Sequence, residues 1–155
     1  MTEGLEIITL LKERGETLST AESLTGGALA KAITDFAGAS HVFLGGVVAY
    51  SIESKLHDLD VPKSVIDQHG PYSQETAIAM AEGAKRRFGS DWAIATTGVA
   101  GPGESHGVAA GEVWVAIIGG IKRENLKLSL KGERDAVRSG AVEGALRALA
   151  RILSS

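Results

Sequence analysis

No cysteine occurs anywhere in the 155-residue sequence. That one absence excludes disulfides, zinc–thiolate sites and cysteine nucleophiles. A strong charge of either sign is also missing. The formal net charge is -3, which argues against an extended nucleic-acid footprint. Long apolar runs are missing too. The opening stretch MTEGLEIITLLKERGETL has no basic leader and is broken by charges, and no run reaches the ~20 residues of a membrane span. A cytoplasmic location, with neither membrane nor nucleic acid as a partner, is the simplest expectation. The histidines are His41, His57, His69 and His106. None shows the i,i+4 or H-E-x-x-H spacing of a metal site, so no metal and no cofactor is expected.

Apolar residues make up 44% and charged residues 23%, enough for a core and too little charge for disorder. The length suits a single domain over 1–155. Leu5, Ile8 and Leu11 recur at helical spacing, predicting a first helix that ends near Gly15. TLST predicts a short strand, and TGGALAKAITDF a helix with both glycines in its first turn. FLGGVVAYS has no polar alternation and reads as a strand buried on both faces. SIESKLHDL reads as a short helix capped by Ser51, and Pro62 opens another that ends before Gly70. Ser73 caps a longer helix in which Ala77, Met80, Ala84 and Phe88 form one stripe. DWAIATTG and EVWVAIIG read as strands, NLKLSLKG as a half-exposed strand, and 133–153 as a closing helix. Strands that alternate with helices and end in a strand pair predict an α/β fold, a three-layer α/β/α sandwich with a mixed β-sheet.

Glycine is plentiful at 20 residues. One glycine pattern misleads. Gly103-Glu104-Ser105-His106-Gly107 matches a G-x-S-x-G nucleophile elbow, but a Gly-Pro pair precedes it where a strand is needed, and no histidine follows His106. A polar surface loop is the better reading. Glycines 98, 101 and 103 follow a strand, where ligands gather in open α/β sheets and backbone N–H groups can form an anion nest; a flexible connection explains them equally.

Two stretches carry more chemistry. TAESLTGG places Glu22, Ser23 and Thr25 directly before Gly26 and Gly27. Glycine in a helix start costs stability, which is understandable where backbone must approach a ligand. Ser23 or Thr25 as a plain N-cap explains the same residues. AYSIESK places Tyr50, Ser51 and Lys55 within six residues. Serine needs a base, and lysine serves when neutral. A neutral Lys55 requires a shift of about 3 pK units, more than a helix terminus supplies, so desolvation must be the main cause and Lys55 must be largely buried. A solvated surface lysine is the ordinary alternative. Spacing alone does not join Ser23 to Lys55.

TAESLTGG, FLGGVVAYSIESK, HGPYSQETAIAMAEGAKRRFG, TTGVAGPG and GERDAVR occur in this order in a chain that resembles, over about residues 5–150, the CinA C-terminal domain family. That family includes nicotinamide-nucleotide amidases. The resemblance implies hydrolysis of the carboxamide of nicotinamide mononucleotide to nicotinate mononucleotide and ammonia, in pyridine nucleotide salvage and without metal. It implies Ser23 as nucleophile, Lys55 as base, and Tyr50 as a second candidate to protonate ammonia. It places Glu22, Thr25, Gly26, Gly27, Thr97, Gly98, Ala100, Gly101, Arg134 and Arg138 in the substrate site. N–H groups near Gly26 or in 97–101 would hold the oxyanion, and Arg138 with the helix start the phosphate. It also implies a stand-alone domain and a homodimer. The chain departs from the family pattern at Leu24, where cysteine is usual, in GPYS for the commoner GAVS, and in the loop 102–111. The rival expectations are a non-catalytic nucleotide-binding or adaptor module linked to DNA uptake and damage, and a serine amidase or esterase with another substrate.

Overall fold

The computed structural model of the protein describes residues 2–155. Helix α1 spans Thr2–Arg14 and buries Ile7, Ile8 and Leu11. Strand β1, Leu18–Glu22, is buried throughout. Helix α2 covers Ala28–Thr34, a 3-10 turn Ala39–His41, and strand β2 Phe43–Val48. Helices α3 (Ile52–Asp58), α4 (Lys63–His69) and α5 (Gln74–Phe88) follow. Strands β3 (Trp92–Gly98), β4 (Glu112–Gly119) and β5 (Lys122–Ser129) precede the long helix α6, Arg134–Ser154. Ser51 Oγ accepts the Ser54 N–H at 3.0 Å, and Ser73 Oγ accepts the Thr76 N–H at 3.1 Å. Both serine caps thus do what serine does best at a helix start.

The sheet order is β2-β1-β3-β4-β5. β1 runs parallel to β2 and β3, and β4 antiparallel to β3 and β5, so the sheet is mixed as expected. Two cores flank it. Side chains of α1, α2 and α6 pack with Leu18, Trp92, Ile94, Val113, Val115 and Ile117 on one face. On the other face, α4 and α5 pack on Ala21, Ala93, Ala95, Ala116 and Ile118, with Ile52 and Leu56 of α3 at the margin. The alternation along β3 divides large residues from small ones, because successive side chains point to opposite faces. The alanine face lets α5 lie close. A Cβ on Gly83 of α5 would overlap the Leu59 carbonyl oxygen just beyond α3, so only glycine permits that approach. Truncating Leu29 or Ile33, both fully buried, would cost about 2–5 kcal/mol.

Two expectations need correction. β2 is an edge strand, not one buried on both faces, and Leu44 and Val48 are exposed on it. Its apolar run reflects β-branched and aromatic strand preference more than double-sided burial. Gly26 and Gly27 lie outside α2, not in its first turn. Their φ values of +58° and +102° form the left-handed turn that leads into the helix. Among the described residues, no helix is long and apolar enough to cross a membrane.

Candidate active site

β1, β2 and β3 are parallel, so their carboxyl ends lie along one edge of the sheet. Ser23 follows β1 directly, Tyr50 and α3 follow β2, and the glycine-rich loop follows β3. This is where an open α/β sheet places its ligands. A cleft of about 230 Å³ opens there, lined by Ser23, Tyr50, Tyr72, residues 98–105 and Arg134.

Ser23 and Lys55, 32 positions apart in sequence, meet at the cleft. Lys55 Nζ lies 3.0 Å from Ser23 Oγ and 3.0 Å from the Ala49 carbonyl oxygen. Nζ also sits 5.9 Å from the centroid of the Tyr72 ring. α3 carries Lys55 on its inner face, and the residue is only 1% exposed. Its partners are neutral, so no opposite charge offsets the loss of water around the ammonium. Burial pushes Lys55 down from 10.5 to about 8. The cause is the desolvation that the sequence argument required. A buried amine that loses its proton near neutral pH, beside a serine hydroxyl, can act as a general base toward that hydroxyl.

The other expected site residues divide. Arg134 reaches the cleft from α6. It donates from Nη1 to the Gly101 carbonyl at 2.6 Å and from Nη2 to the Tyr50 hydroxyl at 2.8 Å. Gly98, Ala100 and Gly101 line the same cleft. Thr97 is fully buried and donates to the Pro71 carbonyl at 2.8 Å, so it anchors the segment before Tyr72. Thr25 Oγ1 pairs with Thr96 Oγ1 at 2.7 Å and ties the turn after Ser23 to β3. Arg138 lies on α6 one turn beyond Arg134. Its Nε donates to the Leu24 carbonyl at 2.9 Å, and it borders a separate groove with Ala28 and Asp135. It holds the backbone beside Ser23.

The helix start expected to hold phosphate is already filled by the protein. Glu22 Oε1 accepts the N–H groups of Gly27 at 3.1 Å and Leu29 at 2.9 Å, and Oε2 accepts that of Ala30 at 3.0 Å. Glu22 is 1% exposed and acts as an internal cap of α2. The backbone N–H groups near Gly26 and in 97–101, expected to hold an oxyanion, divide. The Gly26 N–H bonds to the Ser23 carbonyl, the Val99 N–H to Glu112, and the Ser23 N–H to Thr96. Among the described residues, the N–H groups of Leu24, Thr25, Ala100 and Gly101 enter no hydrogen bond. Leu24 directly follows the serine, the place from which nucleophile elbows draw an oxyanion donor.

The sequence argument passed over Tyr72. Its signal was the GPYS departure, which falls on a cleft-lining residue. Ser105 is no elbow: it opens a small turn in which its backbone and that of Val108 exchange hydrogen bonds, and no strand precedes it. It nevertheless lines the cleft, so the loop is more than surface. Among the described residues, no three His, Asp or Glu side chains cluster as a metal site would require.

Known proteins share this fold. A structure of the competence damage-inducible protein A from Klebsiella pneumoniae superposes with a TM-score of 0.95 at 34% identity, over 99% of this chain and 96% of that one. A CinA superfamily protein from Escherichia coli superposes with a TM-score of 0.90 at 30% identity, over 97% and 91%. A CinA-like protein of Prochlorococcus marinus is 41% identical over 150 residues, covering 95% of this chain and 35% of its own length. The chain thus spans about a third of the length of the curated relatives it matches. The family model of the CinA C-terminal domain matches residues 3–153, and with that span the chain belongs to the CinA C-terminal domain family.

Proposed function

We propose that the protein is a serine–lysine amidase whose substrate is the carboxamide of nicotinamide mononucleotide. The observation that carries this reading is the buried Lys55 amine 3.0 Å from Ser23 Oγ at the edge of a cleft. Neutral Lys55 takes the Ser23 proton as the oxygen attacks the carboxamide carbon. The N–H groups of Leu24 and Thr25 are free to receive the oxyanion. Lys55 returns the proton to the leaving nitrogen, ammonia departs, and an acyl ester remains on Ser23. Water, deprotonated by Lys55, then releases the carboxylate and regenerates the hydroxyl. Arg134, which lines the cleft, is the cation that would meet a phosphate there.

A second reading draws on the names of the relatives, which refer to competence and damage rather than to an enzyme. In it the domain binds a nucleotide or a protein and catalyses nothing. Ammonia release separates the readings. The amidase releases ammonia from nicotinamide mononucleotide far faster than from free nicotinamide, and Ser23→Ala stops it. Binding without ammonia favours the second reading, and equal rates on both amides point to a different amide substrate.

A further inference from the structure

We propose that Tyr72, braced by His106, is the specificity-determining wall of this cleft, and that it packs against a planar aromatic ring on the acyl side of the bond to be cleaved. The inference rests on the amidase reading for the identity of that bond, and on the geometry of the cleft for the ring.

Aromatic residues are only 5% of the chain, yet both of its tyrosines line the cleft. Tyr72 is partly buried and has two neighbours at its ring. The Lys55 amine lies 5.9 Å from the ring centroid. The His106 ring centroid is 5.6 Å away at an interplanar angle of 76°. That edge-to-face arrangement is a favourable aromatic geometry. His106 is itself exposed, and its Nδ1 lies 3.1 Å from Ser105 Oγ within the turn closed by Ser105 and Val108. The Pro71 carbonyl accepts from Thr97 Oγ1. Tyr72 therefore has an anchored preceding residue and an aromatic neighbour, which favour a preformed recognition surface. The loop Gly98 to Gly101, which lines the same cleft, carries no side chain larger than Val99, which leaves room for a flat group against the tyrosine. A ring there, one bond from its carboxamide carbon, lies beside the serine that attacks that carbon.

The test uses binding, so it does not depend on turnover. In a Ser23→Ala parent, calorimetry measures the affinity for nicotinamide mononucleotide, which carries the ring, and for ribose 5-phosphate, which lacks it. Tyr72→Leu should weaken the ring-bearing ligand roughly three- to tenfold and leave ribose 5-phosphate unchanged. Tyr72→Phe should stay within about twofold of the parent, and His106→Ala should weaken only the ring-bearing ligand, by less than Tyr72→Leu. Unchanged ribose 5-phosphate binding also certifies that the variants are folded. Equal weakening of both ligands, or of neither, overturns the proposal, as does a parent that binds both alike. Ring-dependent binding in a protein whose native form releases no ammonia overturns only the amidase reading.

Discussion

Lys55 Nζ donates to the Ser23 hydroxyl and to the Ala49 carbonyl, two neutral acceptors that hold the amine in place without stabilising its charge as a carboxylate would. Position and low basicity thus come from the same burial. If Ser23 is the nucleophile, Ser23→Ala should reduce kcat by at least about a thousandfold. Mass spectrometry of the native protein quenched during turnover should find an acyl adduct on the peptide that carries Ser23. An adduct elsewhere would remove Ser23 from the mechanism.

Activity should rise with pH as Lys55 loses its proton, with the midpoint near 8 in the free enzyme. Lys55→Arg keeps the charge but cannot deprotonate in this range, so it should be inactive. A Lys55→Arg variant with most of its kcat would leave lysine only an electrostatic role. The check is a kcat/KM profile from pH 6 to 10 for both proteins.

The same depressed basicity bears on stability. The folded protein holds the Lys55 proton only up to about pH 8, whereas the unfolded chain holds it to 10.5. Between those values the unfolded state binds more protons, so stability rises with pH across the window. Below pH 8 the full cost of the buried ammonium is present. Lys55→Met should therefore be more stable than the native protein at pH 7, by roughly 1–3 kcal/mol, less whatever the unpaired Ala49 carbonyl costs. The advantage should shrink toward pH 10.5. Urea unfolding of both proteins at pH 7 and pH 10 measures it.

Arg134 and Arg138 should differ in kind. Arg134 lines the cleft, so Arg134→Ala should raise KM for nicotinamide mononucleotide more than for a phosphate-free amide. Arg138 holds the Leu24 carbonyl beside the proposed oxyanion donors, so Arg138→Ala should lower kcat on both substrates. Steady-state kinetics on the pair of substrates decides. A phosphate-selective KM effect at Arg138 and none at Arg134 would reverse the two roles.

Glu22→Gln should lower stability by about 1–3 kcal/mol, because the amide nitrogen would face a backbone N–H that the carboxylate now accepts. Thermal unfolding should show the loss even in a variant that keeps ligand affinity.

Much of this was legible in sequence, for reasons that differ by residue. Ser51 and Ser73 announced their helices because capping is local chemistry. The burial of Lys55 followed from what a lysine base needs, not from its neighbours in the chain. The layered fold followed from the alternation of element types. What escaped depends on contacts across the fold. The position of β2 at the sheet edge is set by strand order, which its own residues do not encode. The capture of the α2 start by Glu22 required knowing that the chain turns through Gly26 and Gly27 back over the strand end. Tyr72 drew attention only as a departure, since its value lies in what Thr97, Lys55 and His106 place around it.

The capture of α2 by Glu22 has an evolutionary side. Many α/β folds bind phosphate with backbone amides at a helix start, a device that single substitutions barely alter. Here a carboxylate from the protein occupies those amides. Any charge selection at the cleft is then left to side chains that line it, such as Arg134, each replaceable by one codon change. A cleft built this way can change what it selects through single side chains, without disturbing the helix start that follows Ser23.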